Sequence, residues 1–245
     1  MSQAVESVVR TMQDRLDGLT PAQKHLAGFL GTYQRTTLAV GNAVDDGSFE
    51  DPEWVERWDV VFAELYLTAL DAHLAGERPS RPWQLAFDAS PDLAALRHVL
   101  LGINAHVNYD LPQALLTVIS DDDFTDSSLM ASRRRDHERI DSVLASRVAA
   151  EDVELGMHGR TLTDRLLQPL NRLSSKRFLR ESRMKVWHNT VALQAARLDG
   201  LTAYAERLAE LEVLSAARIA DLLAPGQVLI RLAVAGFGVT LPPPA

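Results

Sequence analysis

From Trp54 to Leu70, the apolar side chains Trp54, Trp58, Val61, Phe62, Leu65, Ala69 and Leu70 recur three and four positions apart, the spacing of one helix face. The same period runs through Leu26, Phe29, Leu30, Tyr33, Thr37, Val40 and Val44 and stops at Asp46-Gly47. Thr20-Pro21-Ala22-Gln23 opens that run, with a capping threonine, a proline in the first turn and a glutamine three residues on. The pattern predicts further helices over 2–17, 92–110, 112–120, 135–150, 161–173, 175–198 and 200–223. No alternating β-branched run is bounded by turn residues, so the expected fold is all-α: one multi-helix, bundle-like domain over 1–245 with essentially no sheet. Residues 76–92 and 121–134, rich in Pro, Ser and Asp, read as loops, and 240–245 (LPPPA and the residue before it) reads as an extended tail.

One apolar stretch breaks its own pattern. Between Arg97 and Ile119 the chain is hydrophobic enough to cross a core, yet Asn104, His106, Asn108 and Asp110 are set into it at two-residue intervals. Burying amides, an imidazole and a carboxylate is costly unless each is hydrogen-bonded or bound to something. Pro112 cannot donate to the carbonyl of Asn108 and its ring crowds that group, so a helix must kink or restart there, with Asp110 at the break and able to cap the next helix. His106 and Asp110, four apart, project from one helix face. Such a pair can share a divalent metal, or act without metal, the carboxylate orienting the ring as a general base.

Composition narrows the classes. The 245 residues are 47% hydrophobic and 24% charged, enough for a sizeable core in a globular chain. A net charge of −8 lacks the basic face that nucleic-acid binding needs. Without cysteine there are no disulfides, thiolate metal sites or thiol nucleophiles. The N-terminus carries charges and no apolar h-region, and the longest apolar run near the end, Val228–Val239, is broken by Arg231 and too short to span a bilayer. A cytoplasmic location is the expectation; that run fits either the core or an interface with a second copy, a homo-oligomer. No glycine-rich phosphate loop is present, so no nucleotide cofactor is expected, and neither a Gly-x-Ser-x-Gly elbow nor a Glu-x-x-His di-iron pair occurs.

Other residues are candidates to complete a site. His137 and Asp141 repeat the four-residue spacing beside Asp136, within a charged run whose plainer reading is a solvated helix start. Asp71 ends an aromatic-rich helix. Arg183 and Trp187 are one turn apart and could hold an anionic or aromatic ligand. Asp121-Asp122-Asp123-Phe124-Thr125-Asp126 contains the Asp-Asp-x-x-Asp that binds magnesium in class I terpene synthases, but no second metal motif comes after it and helix capping explains it more simply. The expected function is therefore an enzyme acting on a small, largely apolar molecule between helices: a metal-dependent hydrolase or lyase/cyclase (zinc, iron, manganese or magnesium). His106 and Asp110 would be ligands or the catalytic pair, Asp71, Asp136 and His137 further ligands, and Asn104, Asn108, Arg183 and Trp187 the substrate contacts. The alternatives are a metal-free cyclase or isomerase using the same pair, and a non-catalytic small-molecule-binding protein.

LLGINAHVNYDLPQALL, with FAELYLTALDAHL before it and RRRDHERID after it, resembles an uncharacterised family of all-helical bacterial proteins common in actinomycetes. That resemblance implies a helical domain marked by His106 and Asp110 and brings no activity with it. More distantly, His106-Val-Asn-Tyr-Asp110-Leu-Pro-Gln is similar to a helix of the zinc-dependent phospholipase C and P1 nuclease group, which implies metal-ligand roles for His106 and Asp110. The sequence departs from that group at Leu115 and Leu116, where its next histidine would stand, which implies a reduced site of one or two metals.

Overall fold

A computed structural model describes residues 2–155 and 184–224. In chain order the helices are α1 (Gln3–Gly18), α2 (Ala27–Asp45), α3 (Pro52–Leu74), α4 (Arg81–Phe87), α5 (Ala95–Ala105), α6 (Leu111–Val118), α7 (Ser127–Leu155), α8 (184–199) and α9 (Leu201–Leu223). No strand occurs among the described residues, as the helical periodicity predicts. The expected segments 161–173, 228–239 and 240–245, and the start of 175–198, lie outside the described residues.

Local chemistry sets the helix ends. The Gln23 side chain accepts from the Thr20 amide at 3.1 Å, and the chain makes a 3₁₀ turn over Pro21–Leu26 before α2 begins. α2 and α3 both end in Schellman motifs: Gly47 and Gly76 sit at φ 69° and 79°, and the amides of Ser48 and Glu77 reach back to the Ala43 and Ala72 carbonyls. Asp51 accepts from the Trp54 amide at 2.9 Å and Pro52 fills the first turn of α3.

Two expected loops are shorter than predicted. Residues 76–92 contain α4, whose Pro82, Trp83, Ala86 and Phe87 are buried. The loop 121–134 ends at Asp126, whose carboxylate accepts from the amides of Ser128 and Leu129 and so starts α7 eight residues before the predicted 135. Composition alone hides both: a seven-residue helix with a proline and a serine-rich first turn each read as loop.

Two clusters of buried side chains form the core. One gathers Met12 of α1, Phe29, Leu30 and Tyr33 of α2, Tyr66 and Leu70 of α3, Trp83 and Phe87 of α4, Leu101 of α5 and Ile219 of α9. The other gathers Val40, Trp54, Trp58, Leu111, Leu115, Ile119, Ile140 and Val186. Each fully buried Leu, Phe or Met side chain contributes about 1.5–3 kcal/mol. Helix α3 spans both clusters, and its Phe62 packs against each. No described helix is long and apolar enough to cross a membrane.

Candidate functional site

Between α5 and α6 the helix continues through Pro112 by inserting one π turn, His106–Asp110. The Leu111 amide reaches five residues back to the His106 carbonyl instead of four. Turns of this kind recur at functional sites because they re-aim side chains without ending the helix. The expected break is thus an expanded turn, and Asp110 does not use its side chain to cap α6.

That side chain is engaged elsewhere. His106 Nδ1 lies 2.8 Å from Asp110 Oδ2, and the Trp83 Nε1–H donates to the same oxygen at 2.8 Å. Both members of the pair are buried, at 2% and 3% exposure. With Nδ1 directed at the carboxylate, His106 Nε2 is left buried and without a hydrogen-bond partner. Burial lowers the His106 pKa against the opposing pull of Asp110, which keeps the ring neutral. Burial likewise raises the Asp110 pKa, against the hydrogen bonds from His106 and Trp83.

Aromatic rings enclose the imidazole. Phe62 stacks on it face to face, with centroids 3.5 Å apart and planes 3° from parallel. Tyr33 meets it edge-on at 4.5 Å, and Trp83, Tyr66 and Phe29 stand at 5.8, 5.9 and 6.0 Å. Beyond Tyr33 lie further buried polar atoms without partners: Tyr33 Oη, Thr37 Oγ1 and Asp59 Oδ2. Burial pushes the Asp59 carboxyl up to about 8, with Glu56 adding to the effect. Burial also raises the Tyr33 pKa, and the charges of Asp59 and Asp110 raise it further, which places the phenol near both acids.

Sequence reasoning misses Asp59, Tyr33, Phe62 and Trp83 as site residues. Tyr33 and Phe62 read as members of apolar stripes, and Trp83 as part of a loop. Asp59 carries a usable signal, because Val55, Asp59, Phe62 and Tyr66 follow the helical spacing of one face and a carboxylate stands within it.

The remaining expected residues do not join His106 and Asp110. The Asn104 amide donates to the Leu100 carbonyl at 2.8 Å and the Asn108 amide to Asn104 Oδ1 at 3.3 Å, a separate pair. Residues two apart on a helix face different ways, so the four polar groups divide into two pairs rather than forming one network. Asp71 is half-exposed and bound at 2.6 and 2.9 Å by the Arg15 guanidinium. Asp136, fully buried, accepts from the amides of Glu50 and Asp51 at 2.8 Å each and from Arg139 at 2.9 Å. The His137 ring lies between Trp58 and Trp187, at 5.5 and 5.7 Å. Asp121 pairs with Arg197, and Asp123 accepts from the Ser120 amide, in keeping with capping. Arg183 and the side chain of Asp141 lie outside the described residues. Among the described residues no three His, Asp or Glu side chains converge as metal ligands, so the shell expected from Asp71, Asp136 and His137 does not assemble around His106 and Asp110.

Residues 5–225 match the model of a family of unknown function, DUF5995, and the chain belongs to that family. No curated protein and no solved structure matches it. The similarity of the His106–Asp110 helix to the zinc-dependent phospholipase C and P1 nuclease group is therefore not shown.

Proposed function

We propose that this DUF5995 member is an enzyme that moves protons, without metal, on a small and largely apolar molecule, in the manner of an isomerase or cyclase. The observation that carries the proposal is the state of His106: Nδ1 tied to Asp110, and Nε2 buried, unpartnered and beside Tyr33. A neutral ring with one nitrogen anchored and the other bare is the arrangement a general base requires. Asp110, held by Trp83, orients the ring and stabilises the imidazolium that forms when Nε2 takes a proton. If that proton comes from a carbon next to a carbonyl, the electron pair moves onto the carbonyl oxygen. Tyr33 and a protonated Asp59 then supply O–H groups to receive the developing charge. The apolar walls favour an apolar substrate, and the partly exposed Phe62 ring, stacked on His106, is the wall that must move to admit it. The metal-free form is favoured over the metal-dependent one because the described donors around His106 amount to one imidazole and one carboxylate already shared with Trp83. The close Phe62 stack favours a second reading, a binding protein in which the pair recognises a polar group on the ligand.

The test is deuterium incorporation from D₂O into a panel of small ketones, aldehydes and thioesters, read by mass spectrometry for wild type, His106→Gln and Asp110→Asn. Incorporation that survives a chelator and falls at least about 100-fold in His106→Gln supports the proposal, since positioned general bases contribute roughly 10²–10⁴. Incorporation abolished by the chelator and restored by zinc would return the site to metal-dependent chemistry. Compounds that bind, shift the melting temperature and are never exchanged would leave a binding protein.

A further inference from the structure

Behind the aromatic layer that faces His106 lies a second pair of imidazoles. His25, in the 3₁₀ turn before α2, and His98, in the first part of α5, have ring centroids 5.3 Å apart with planes tilted by 51°. His25 Nε2 lies 3.2 Å from the Phe87 carbonyl, which can only accept, so this nitrogen carries the ring's hydrogen and Nδ1 carries a lone pair. His98 makes a hydrogen bond to the Ser90 backbone while its Nε2 has no partner, which leaves the lone pair on Nε2. Both lone-pair nitrogens, His25 Nδ1 and His98 Nε2, are buried and unsatisfied. The two rings line one cavity of about 10 Å³ with Phe29, Tyr66, Trp83, Phe87 and Gly102, which is room for one small ion or one water.

We infer that His25 and His98 together hold a single transition-metal cation of the zinc type in this cavity. Metal-binding histidines characteristically donate their other N–H to a backbone carbonyl, which fixes the tautomer and the ring orientation, and both rings here are anchored in that way. Spacing agrees as well. Two imidazoles sharing a tetrahedral ion at metal–nitrogen distances of about 2.0–2.1 Å place their ring centroids roughly 5 Å apart. The observed separation is 5.3 Å. Water completes the coordination on the side of the partly exposed His25, which is also the route of entry. The rings come from different elements, and the Phe87 carbonyl that fixes one of them ends α4, so the ion ties the turn before α2 to α5 and α4. This site is separate from the His106–Asp110 pair and does not depend on its chemistry. The competing occupant is one water molecule donating both hydrogens to the two lone pairs.

The experiment is a titration of the whole chain, freed of metal by chelation, with Zn²⁺, following side-chain ¹⁵N resonances and calorimetric affinity, with Co²⁺ absorption as a check on geometry. The expected result is one-to-one binding that shifts His25 Nδ1 and His98 Nε2 selectively, a tetrahedral cobalt spectrum, and at least a tenfold loss of affinity in His25→Gln and in His98→Gln. If either variant fails to fold, the wild-type resonances decide the matter alone. Resonances of His25 and His98 that stay fixed under excess Zn²⁺, or binding that moves only His73 or His188, would overturn the inference and leave the cavity to water.

Discussion

Gly102 stands inside α5, where glycine ordinarily costs about 0.5–1 kcal/mol relative to alanine. Here the sign reverses. A Cβ at this position would fall 2.3 Å from Cγ and 2.4 Å from Cδ2 of Phe29, against the face of a buried ring that also borders His106. Neither the ring nor the helix has slack to give, so Gly102→Ala should lower stability by about 1–3 kcal/mol despite its better helix propensity. Urea unfolding would measure this, and a stabilised variant would mean that Phe29 can turn aside. The same residue shows where sequence reading ends. Gly102 falls within the segment that carries the family resemblance, but the reason for it, a ring supplied by α2, is a tertiary contact that no local pattern records. The His106–Asp110 pair was legible because four-residue spacing is a local property of helices. Its aromatic enclosure and the neighbouring Asp59 were not, since they come from α2, α3 and α4 and meet only in the fold.

At the scale of elements, the helices were legible from periodicity while their joints were not. Asp136 is such a joint. It lies in α7, yet its carboxylate takes the amides of Glu50 and Asp51 just ahead of α3, and Arg139 from its own helix. The charged run around it reads as a solvated face, and Glu50, which bridges Arg135 and Arg139 on the surface, fits that reading. Asp136 itself is fully buried. Removing it strands two amides that no water can easily reach, at about 1–3 kcal/mol for an unsatisfied buried donor. Asp136→Ala should therefore lower the melting temperature by several degrees, and Asp136→Asn, which keeps one acceptor oxygen, by less. Equal melting temperatures for wild type and Asp136→Ala would show that the start of α3 holds without the clamp. The π turn belongs to the same scale. Proline chemistry at 112 correctly marks a disturbance, but whether the chain breaks or takes up one extra residue is decided by packing on both sides, with Leu111 and Leu115 in one core cluster and Leu101 in the other.

For the whole molecule, the buried titratable groups set how stability varies with pH, and they act in opposite directions. Asp59 keeps its proton in the folded chain up to about pH 8, whereas an unfolded aspartate releases it near pH 4, a value of about 3.9. Between those values folding takes up a proton, so this contribution is complete below about pH 4 and is lost as pH rises through about 8. His106 and His98, whose pKa values burial lowers, do the reverse. An unfolded imidazole gains its proton near pH 6.5 while the folded one resists, so their contribution is lost as pH falls below about 6.5. From about pH 4 to 6.5 the two trends oppose each other. From about 6.5 to 8 the histidines are neutral in both states and the carboxyls act alone. The melting temperature should accordingly fall across that upper interval. Asp59→Asn removes the titrating proton while keeping the shape, and Asp59 Oδ2 has no hydrogen bond to lose, so the variant should show a flatter profile and melt above wild type at about pH 8. A wild-type slope that survives the substitution would mean that Asp59 is already ionised in the folded protein. In that case Tyr33 alone would be left to meet an oxyanion beside His106.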